Sequence, residues 1–95
     1  MKIADAIRNH QVLTFQYHGH HRIVEPHTYG IDQKGDSALR AYQTGGTSGS
    51  GRMPDWRIFH ESEIVALSVS ATKFSGARHG YVRGDPFFAT IHVQL

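Results

Sequence analysis

The feature that most constrains the fold is a series of short runs of alternating residues, each bounded by a turn signal. The clearest run is V-L-T-F-Q-Y, which places Leu13, Phe15 and Tyr17 on one face. An apolar pattern with a period of two is typical of a half-buried strand. Because the chain has 95 residues and no cysteine, disulfides and thiolate zinc sites are excluded, and the strands must share one modest core.

Continued along the chain, the pattern predicts one short helix followed by strands. Ile3, Ala6 and Ile7 recur at helical spacing, so we expect a helix over residues 2–10. Strands are predicted at residues 12–17, 21–25, 38–43, 55–59, 63–70 and 87–95. The second is predicted to end near Pro26 because proline cannot donate to a ladder, and residues 29–31 could continue or resume its pairing. Residues 44–54 are predicted to form a Gly/Ser loop and residues 71–86 an irregular cover. Together these elements indicate one mainly β domain over residues 1–95, a small antiparallel barrel or sandwich.

Charge and hydropathy exclude some classes of protein. The net charge is only +2 and no run of Lys or Arg occurs, so no broad nucleic-acid footprint is indicated. Arginine nevertheless dominates the cations, and arginine binds phosphate or carboxylate in a bidentate manner. No apolar run approaches the roughly 20 residues that span a bilayer, and the N-terminus lacks the apolar core of a signal peptide. We therefore expect a cytoplasmic protein with no membrane contact.

Polar and aromatic side chains are concentrated between Arg22 and Arg57, on or beside the predicted strands. Such side chains on rigid elements are typical of a binding site. Arg22 and Arg57 are candidate clamps for an anionic group, and Tyr42 and Trp56 are candidate stacking surfaces. The alternative is that Arg22 forms a structural ion pair with Glu25, that Trp56 is a core residue, and that the Gly/Ser loop is only a connector.

The other candidate binding residues would supply hydrogen bonds: Gln43, His27, Gly46 and Ser48. His27 follows a proline at a predicted strand end, where an imidazole would be a pH-sensitive donor. Backbone N–H groups of residues 45–51 could form an anion nest. The loop lacks the G-K-[ST] end of a P-loop and the last glycine of G-x-S-x-G. Nothing in the sequence brings Ser48, His27 and a carboxylate together, so we predict no enzymatic activity and no catalytic residues.

The chain has eight histidines, of which His18, His20 and His21 cluster at one predicted turn. Imidazole is a good zinc ligand, but a closed zinc site needs about four ligands, and no H-E-x-x-H motif is present. We interpret the three as exposed turn residues, and the sequence predicts neither a metal site nor a cofactor.

The order of the motifs resembles the WYL domain family. A helix with A-I-R, a strand ending F-Q-Y, then R-I-V-E-P, L-R-A-Y, W-R-I-F and E-I-V-A-L match the family over about residues 3–70. The resemblance implies an SH3-like (Sm-like) β-barrel. It also implies ligand sensing or nucleic-acid binding, as in the WYL modules of bacterial and phage transcription regulators, including some linked to CRISPR systems.

Three residues of this chain correspond to residues of the family's motifs. Arg22 corresponds to the family's arginine before a valine and proline, Arg57 to the arginine before a Phe strand, and Tyr42 to the aromatic after the name-giving tripeptide. The tripeptide itself corresponds to residues 37–39, where only Leu39 remains. The helix-turn-helix domain that commonly precedes the module is not in this sequence, so we do not expect a stand-alone repressor.

Two hypotheses follow for the function. The first is a non-enzymatic binding or sensor module for an anionic ligand, either a nucleotide or a short single-stranded nucleic acid, with a role in transcription regulation. The second is a protein-interaction or self-assembly module. A small barrel has open edges, and the tail F-F-A-T-I-H-V-Q-L could pair with another chain to form a homo-oligomer.

Overall fold

The computed structural model describes residues 2–47 and 54–95 of the chain. These residues form one short α-helix, six β-strands and a 3₁₀ turn. In chain order the elements are α1 (Lys2–Arg8), β1 (Gln11–Tyr17), β2 (His20–Asp32), β3 (Ser37–Gly46), β4 (Asp55–His60), the 3₁₀ turn (Glu61–Glu63), β5 (Val65–Lys73) and β6 (Phe88–Gln94). Among the described residues, no helix has the length and apolar character that crossing a membrane requires.

All six strands belong to one antiparallel sheet organised around β2. The order is β4-β3-β2-β1-β5, and β6 pairs with the second half of β2, beyond the half that pairs with β1. A barrel closes only when its first and last strands pair. No ladder joins β4 to β5 in the described part of the chain, so the sheet does not close. The prediction of a mainly β fold with one short N-terminal helix is confirmed, and the sheet does not close into the small barrel that the sequence also suggested.

Strand β2 continues beyond Pro26, where the sequence predicted its end. Pro26 lies opposite Ala41 and Thr28 lies opposite Arg40, so His27 is an extra residue in a bulge. A bulge tolerates a residue that has no N–H, because the ladder resumes on its far side. The end predicted near Pro26 was therefore wrong, whereas the alternative that residues 29–31 continue the pairing is confirmed. The strand of 13 residues is long enough to pair with both β1 and β6.

The main core lies between the inner face of the sheet and α1. It consists of apolar side chains from the helix and from four strands: Ile3, Ala6, Ile7, Leu13, Phe15, Tyr17, Val24, Tyr29, Leu39, Ala41 and Phe59. A helix of seven residues is marginal in isolation. Burial of Ile3 and Ile7 in this core therefore accounts for its stability.

The opposite, outer face of the sheet is partly covered by residues 74–87, which connect β5 to β6 without regular structure. This agrees with the irregular cover predicted from the glycines of that segment. Phe74 and Asp85 of the segment are buried. The sheet therefore has packed side chains on both faces, and the candidate site must be described face by face.

Candidate functional site

The β3–β4 ladder divides the predicted site residues between the two faces of the sheet. Tyr42 lies opposite Trp56 and Gln43 lies opposite Asp55, with no register shift in this ladder. Directly opposed residues share a face, and successive residues alternate between faces. Tyr42 and Trp56 therefore belong to the outer face, whereas Gln43 and Arg57 belong to the inner face.

On the inner face, Arg22 is a nearly buried cation at one end of the core. It is 6% exposed, its Nη1 donates to Gln43 Oε1 at 3.1 Å, and its Nη2 donates to the Tyr17 carbonyl at 3.2 Å. Its Nε has no hydrogen-bond partner, and among the described residues no carboxylate pairs with it. The guanidinium lies 5.7 Å and 5.6 Å from the ring centroids of Tyr17 and Phe59. Burial, and next the charge of Arg57, lower the pKa of Arg22.

The inner face brings Arg22, Gln43 and Arg57 together, as the sequence predicted. Gln43 is fully buried and donates to the carbonyls of Gly45 and Thr47, each at 3.0 Å. Arg57 lies 3.2 Å from an Asp55 carboxylate oxygen, and its side chain is 16% exposed. Both arginines thus have protein partners already, so the pair is not an open clamp.

The Gly/Ser loop predicted over residues 44–54 forms part of strand β3 at its start and lies partly outside the described residues. Gly45 and Gly46 are paired in the β2–β3 ladder, opposite Ile23 and Arg22. These two glycines therefore extend a strand and do not form the expected anion nest. Ser48 and residues 49–51 of the predicted nest lie outside the described residues.

On the outer face, His27 is a fully buried core residue. Its ring packs against three aromatic rings, those of Trp56, Phe74 and Tyr81. Nδ1 donates to the Glu25 carbonyl at 2.8 Å, and Nε2 accepts the backbone N–H of Arg78 at 3.1 Å. Burial lowers the pKa of His27, which favours this neutral tautomer. Because both ring nitrogens are bonded, His27 has no donor left for a ligand.

Glu25 pairs with Arg78 and not with Arg22. Nε and Nη2 of Arg78 donate to the two carboxylate oxygens of Glu25 at 2.7 Å and 3.0 Å, and this pairing raises the pKa of Arg78. The suggested Arg22–Glu25 ion pair was wrong, because residues three apart on a strand face opposite sides. The Arg78 guanidinium also lies 5.0 Å from the centroid of the Tyr42 ring. Within the protein, the Arg78 guanidinium therefore already packs against the Tyr42 ring, where a ligand was predicted to stack.

A cleft of about 350 Å³ lies on the outer face. Its lining comes from two strands and from the covering segment: Arg40, Trp56, Gly80, Tyr81, Val82, Asp85 and Pro86. The indole is held in place because Trp56 Nε1 donates to the His79 carbonyl at 3.0 Å. Gly80 allows this close approach, since its φ is +92° and a Cβ would lie 2.9 Å from Trp56 Nε1. Trp56 is thus half-buried at the edge of a cleft and not fully in the core.

Arg40 supplies the positive charge of this cleft. Its Nε donates to Asp85 Oδ2 at 2.8 Å, and its guanidinium lies 5.5 Å from the Phe87 ring centroid. Within the described residues its two Nη groups make no hydrogen bond, so they can donate to an anion. The sequence analysis did not predict Arg40 as a binding residue. Its position two residues before Tyr42 could have indicated it, because residues two apart lie on the same face of a strand.

A second cleft, of about 330 Å³, lies beside the β2–β3 hairpin and is lined by Asp32, Gln33, Lys34, His60 and Phe87. It borders the one group of three possible metal ligands in the described part of the chain, formed by Asp32, Asp36 and His60. The turn histidines do not converge in this way. His18, His20 and His21 bond three different side chains, those of Glu63, Thr47 and Gln16 respectively.

No protein-family model matches the sequence, and neither a curated protein nor a solved structure matches the chain. The resemblance to the WYL family therefore stays a prediction that rests on the motifs. Function must be inferred from the geometry of the two faces.

Proposed function

We propose that this chain is a non-enzymatic binding module for a small anionic ligand with a planar ring, either a nucleotide or the end of a short single strand. The observation that most supports this proposal is the cleft on the outer face, where Trp56, Tyr81 and Arg40 line one volume of about 350 Å³. Sites for small molecules span roughly 300–1,000 Å³. In keeping with the WYL resemblance, we place this module in the cytoplasm, in transcription regulation.

The cleft combines two kinds of contact that nucleotides need. A base or similar ring can stack on an aromatic side chain, which contributes roughly 1–3 kcal/mol per base. A phosphate or carboxylate can accept hydrogen bonds from the two Nη groups of Arg40, which bond no other described residue. Asp85 holds Arg40 through Nε alone, at 2.8 Å, and its own carboxylate also accepts the backbone N–H of Phe87. The cation is therefore positioned before the ligand arrives.

Arg40 is a better candidate for the anion-binding arginine than Arg22 and Arg57 of the inner face. Trp56 and Arg22 belong to opposite faces of the sheet, so one small ligand cannot contact both. Arg22 is also 6% exposed, with both Nη groups already bonded. We therefore assign the clamp to Arg40 and interpret Arg22 as the residue that holds Gln43 at the end of the core.

Isothermal titration of the full chain with AMP and with short oligonucleotides, at two salt concentrations, tests this proposal. Arg40→Lys keeps a cation beside Asp85 but loses the bidentate fork, so we expect it to weaken binding on the order of tenfold. Arg8→Gln is the matched control, because Arg8 lies on α1 with a side chain 59% exposed and does not line the cleft.

Two outcomes would overturn the proposal. If Arg22→Gln and Arg57→Gln abolish binding while Arg40→Lys does not, the ligand occupies the inner face. If neither AMP nor any oligonucleotide binds the wild-type chain, the proposed class of ligand is wrong. Thermal denaturation of each variant shows whether a loss of affinity is a loss of folding.

Self-assembly is the second candidate, favoured by the strand edges at the two ends of the sheet. In the described residues β4 and β5 are each paired on one side only, and Val65 of β5 is 62% exposed. The tail that could have paired with another chain pairs as β6 with β2 of its own chain, in line with the last strand predicted from the sequence. Light scattering distinguishes the candidates, since an oligomer paired through β5 would dissociate in Val65→Lys while AMP binding in the cleft would persist.

A further inference from the structure

Two acidic residues and one histidine converge at the second cleft, which shares no lining residue with the cleft of Trp56. Asp32 is the last residue of β2, Asp36 immediately precedes β3, and His60 is the last residue of β4. The pairing of Ala38 with His60 brings the end of β4 beside the β2–β3 hairpin. One ligand atom from each of the three lies within 4.8 Å of the other two.

The Asp32 side chain is buried, and in the described part of the chain only one of its two carboxylate oxygens accepts hydrogen bonds. Its side chain is 6% exposed, and Oδ1 accepts the backbone N–H groups of Lys34 and Asp36, both at 2.9 Å. Oδ2 accepts no hydrogen bond within the described residues, and its distance to His60 Nδ1 is 3.9 Å, beyond hydrogen-bonding range. Among the described residues, Oδ2 is not one of the buried polar atoms that lack a partner, so it is accessible from the cleft. A carboxylate oxygen in this position is available to a cation or to water from the cleft side.

The other two ligands are free to complete a site around Asp32 Oδ2. In the described part of the chain, neither the His60 ring nor the Asp36 carboxylate makes a hydrogen bond, and the His60 side chain is 37% exposed. Zinc bonds of about 2.0–2.2 Å place the ligand atoms of a tetrahedral site about 3.4 Å apart. The separation of 3.9 Å between Asp32 Oδ2 and His60 Nδ1 is already close to this value. Small side-chain rotations would complete the geometry.

Electrostatics also favour a cation here. The Asp32 and Asp36 side chains bring two carboxylates to the site. Lys34 lines the same cleft. These two carboxylates and the one ammonium group together contribute a charge of −1 around the three ligand atoms.

We propose that Asp32, Asp36 and His60 bind a divalent transition-metal ion of the Zn²⁺ class, with water from the cleft in the remaining coordination position. An imidazole nitrogen combined with carboxylate oxygens suits Zn²⁺ and Co²⁺ better than Ca²⁺ or Mg²⁺, which prefer ligand sets made of oxygen. Asp32 is the preordered ligand, while Asp36 and His60 move to meet the ion.

Titration of the full chain with ZnCl₂ by calorimetry, and with CoCl₂ by visible absorption, tests this site. We expect one ion per chain, with His60→Gln and Asp36→Asn each weakening binding at least tenfold. His20→Gln is the matched control, because His20 belongs to the turn histidines and bonds Thr47. Both ligand variants keep the backbone N–H of Asp36, and a thermal melt checks that each is folded.

Three results would overturn the proposal: no binding of either metal by the wild-type chain, unchanged affinity in His60→Gln and Asp36→Asn, or loss of binding in His20→Gln. The last result would assign any metal to the turn histidines. None of these three results affects the AMP titration of the outer cleft, because the two clefts share no lining residue.

Discussion

At the scale of single residues, His27 shows how a titratable side chain becomes part of a core. It occupies the bulge in β2, and both of its ring nitrogens bond backbone groups, one of Glu25 and one of Arg78. Protonation would place a second N–H against the Arg78 amide, which is itself a donor. The folded state therefore holds His27 neutral, and its role is to join the sheet to the covering segment.

This geometry fixes the sign of a pH effect on stability. The pKa of His27 is lowered in the folded state from its ordinary value of 6.5, so the unfolded chain binds the proton more tightly. The stability that neutral His27 contributes is complete above pH 6.5 and is lost as the pH falls towards the folded-state pKa. We expect NMR titration to show the His27 ring still neutral at a pH where exposed imidazoles are protonated, and urea denaturation to show falling stability below that pH. A His27 ring that titrates at or above 6.5 would contradict this interpretation.

At the scale of elements, β6 depends on a close approach to β2 at Gly30. Gly30 lies opposite Ile91, and a Cβ built on it would clash with the Thr90 carbonyl oxygen. Gly30→Ala should therefore push β6 away from β2, at a cost of about 2 kcal/mol or more in the free energy of unfolding. Gly35→Ala is the control, because a Cβ there meets nothing within 4 Å and adds only the strain of a φ of +89°, roughly 1 kcal/mol.

Urea denaturation of the two variants measures this difference. Equal losses of stability in Gly30→Ala and Gly35→Ala would mean that β6 does not dock on β2 as tightly as the structure shows. A larger loss in Gly30→Ala is the expected result.

Most strands and the helix could be predicted from the sequence because the apolar patterns that indicate them lie within each element. The alternation of Leu13, Phe15 and Tyr17 needs no tertiary information, and these residues are buried in β1 as expected. The end assigned to β2 at Pro26 failed for a non-local reason, since the ladder with β3 resumes after the bulge. A bulge is a property of two paired strands, and one strand's sequence does not reveal it.

The candidate site was predicted less well, because register decides which side chains meet. Alternation gives the two faces of each strand separately but does not say which face of one strand joins which face of the next. The sequence therefore grouped Arg22 with Trp56, whereas the ladders put them on opposite faces. It did place Arg22 beside Gln43 and Arg57, the part of the prediction that the inner face brings together.

At the scale of the whole molecule, the outer cleft arises from residues far apart in the chain. Trp56 comes from β4, Arg40 from β3, and the opposite wall from residues 80–86 of the covering segment. The sequence predicted the cover but not that it would create a site, since neither half forms a cleft alone. The proposed binding site therefore depends on the folded sheet together with its cover.

Fluorescence of Trp56 tests the central claim most directly, because it is the only tryptophan in the sequence and it lines the cleft. We expect AMP to change its emission saturably in the wild-type chain and in Arg8→Gln, with half-saturation shifted about tenfold in Arg40→Lys. Emission that does not respond to AMP while calorimetry detects binding, or a response that Arg40→Lys leaves unchanged, would contradict the assignment of the ligand to this cleft.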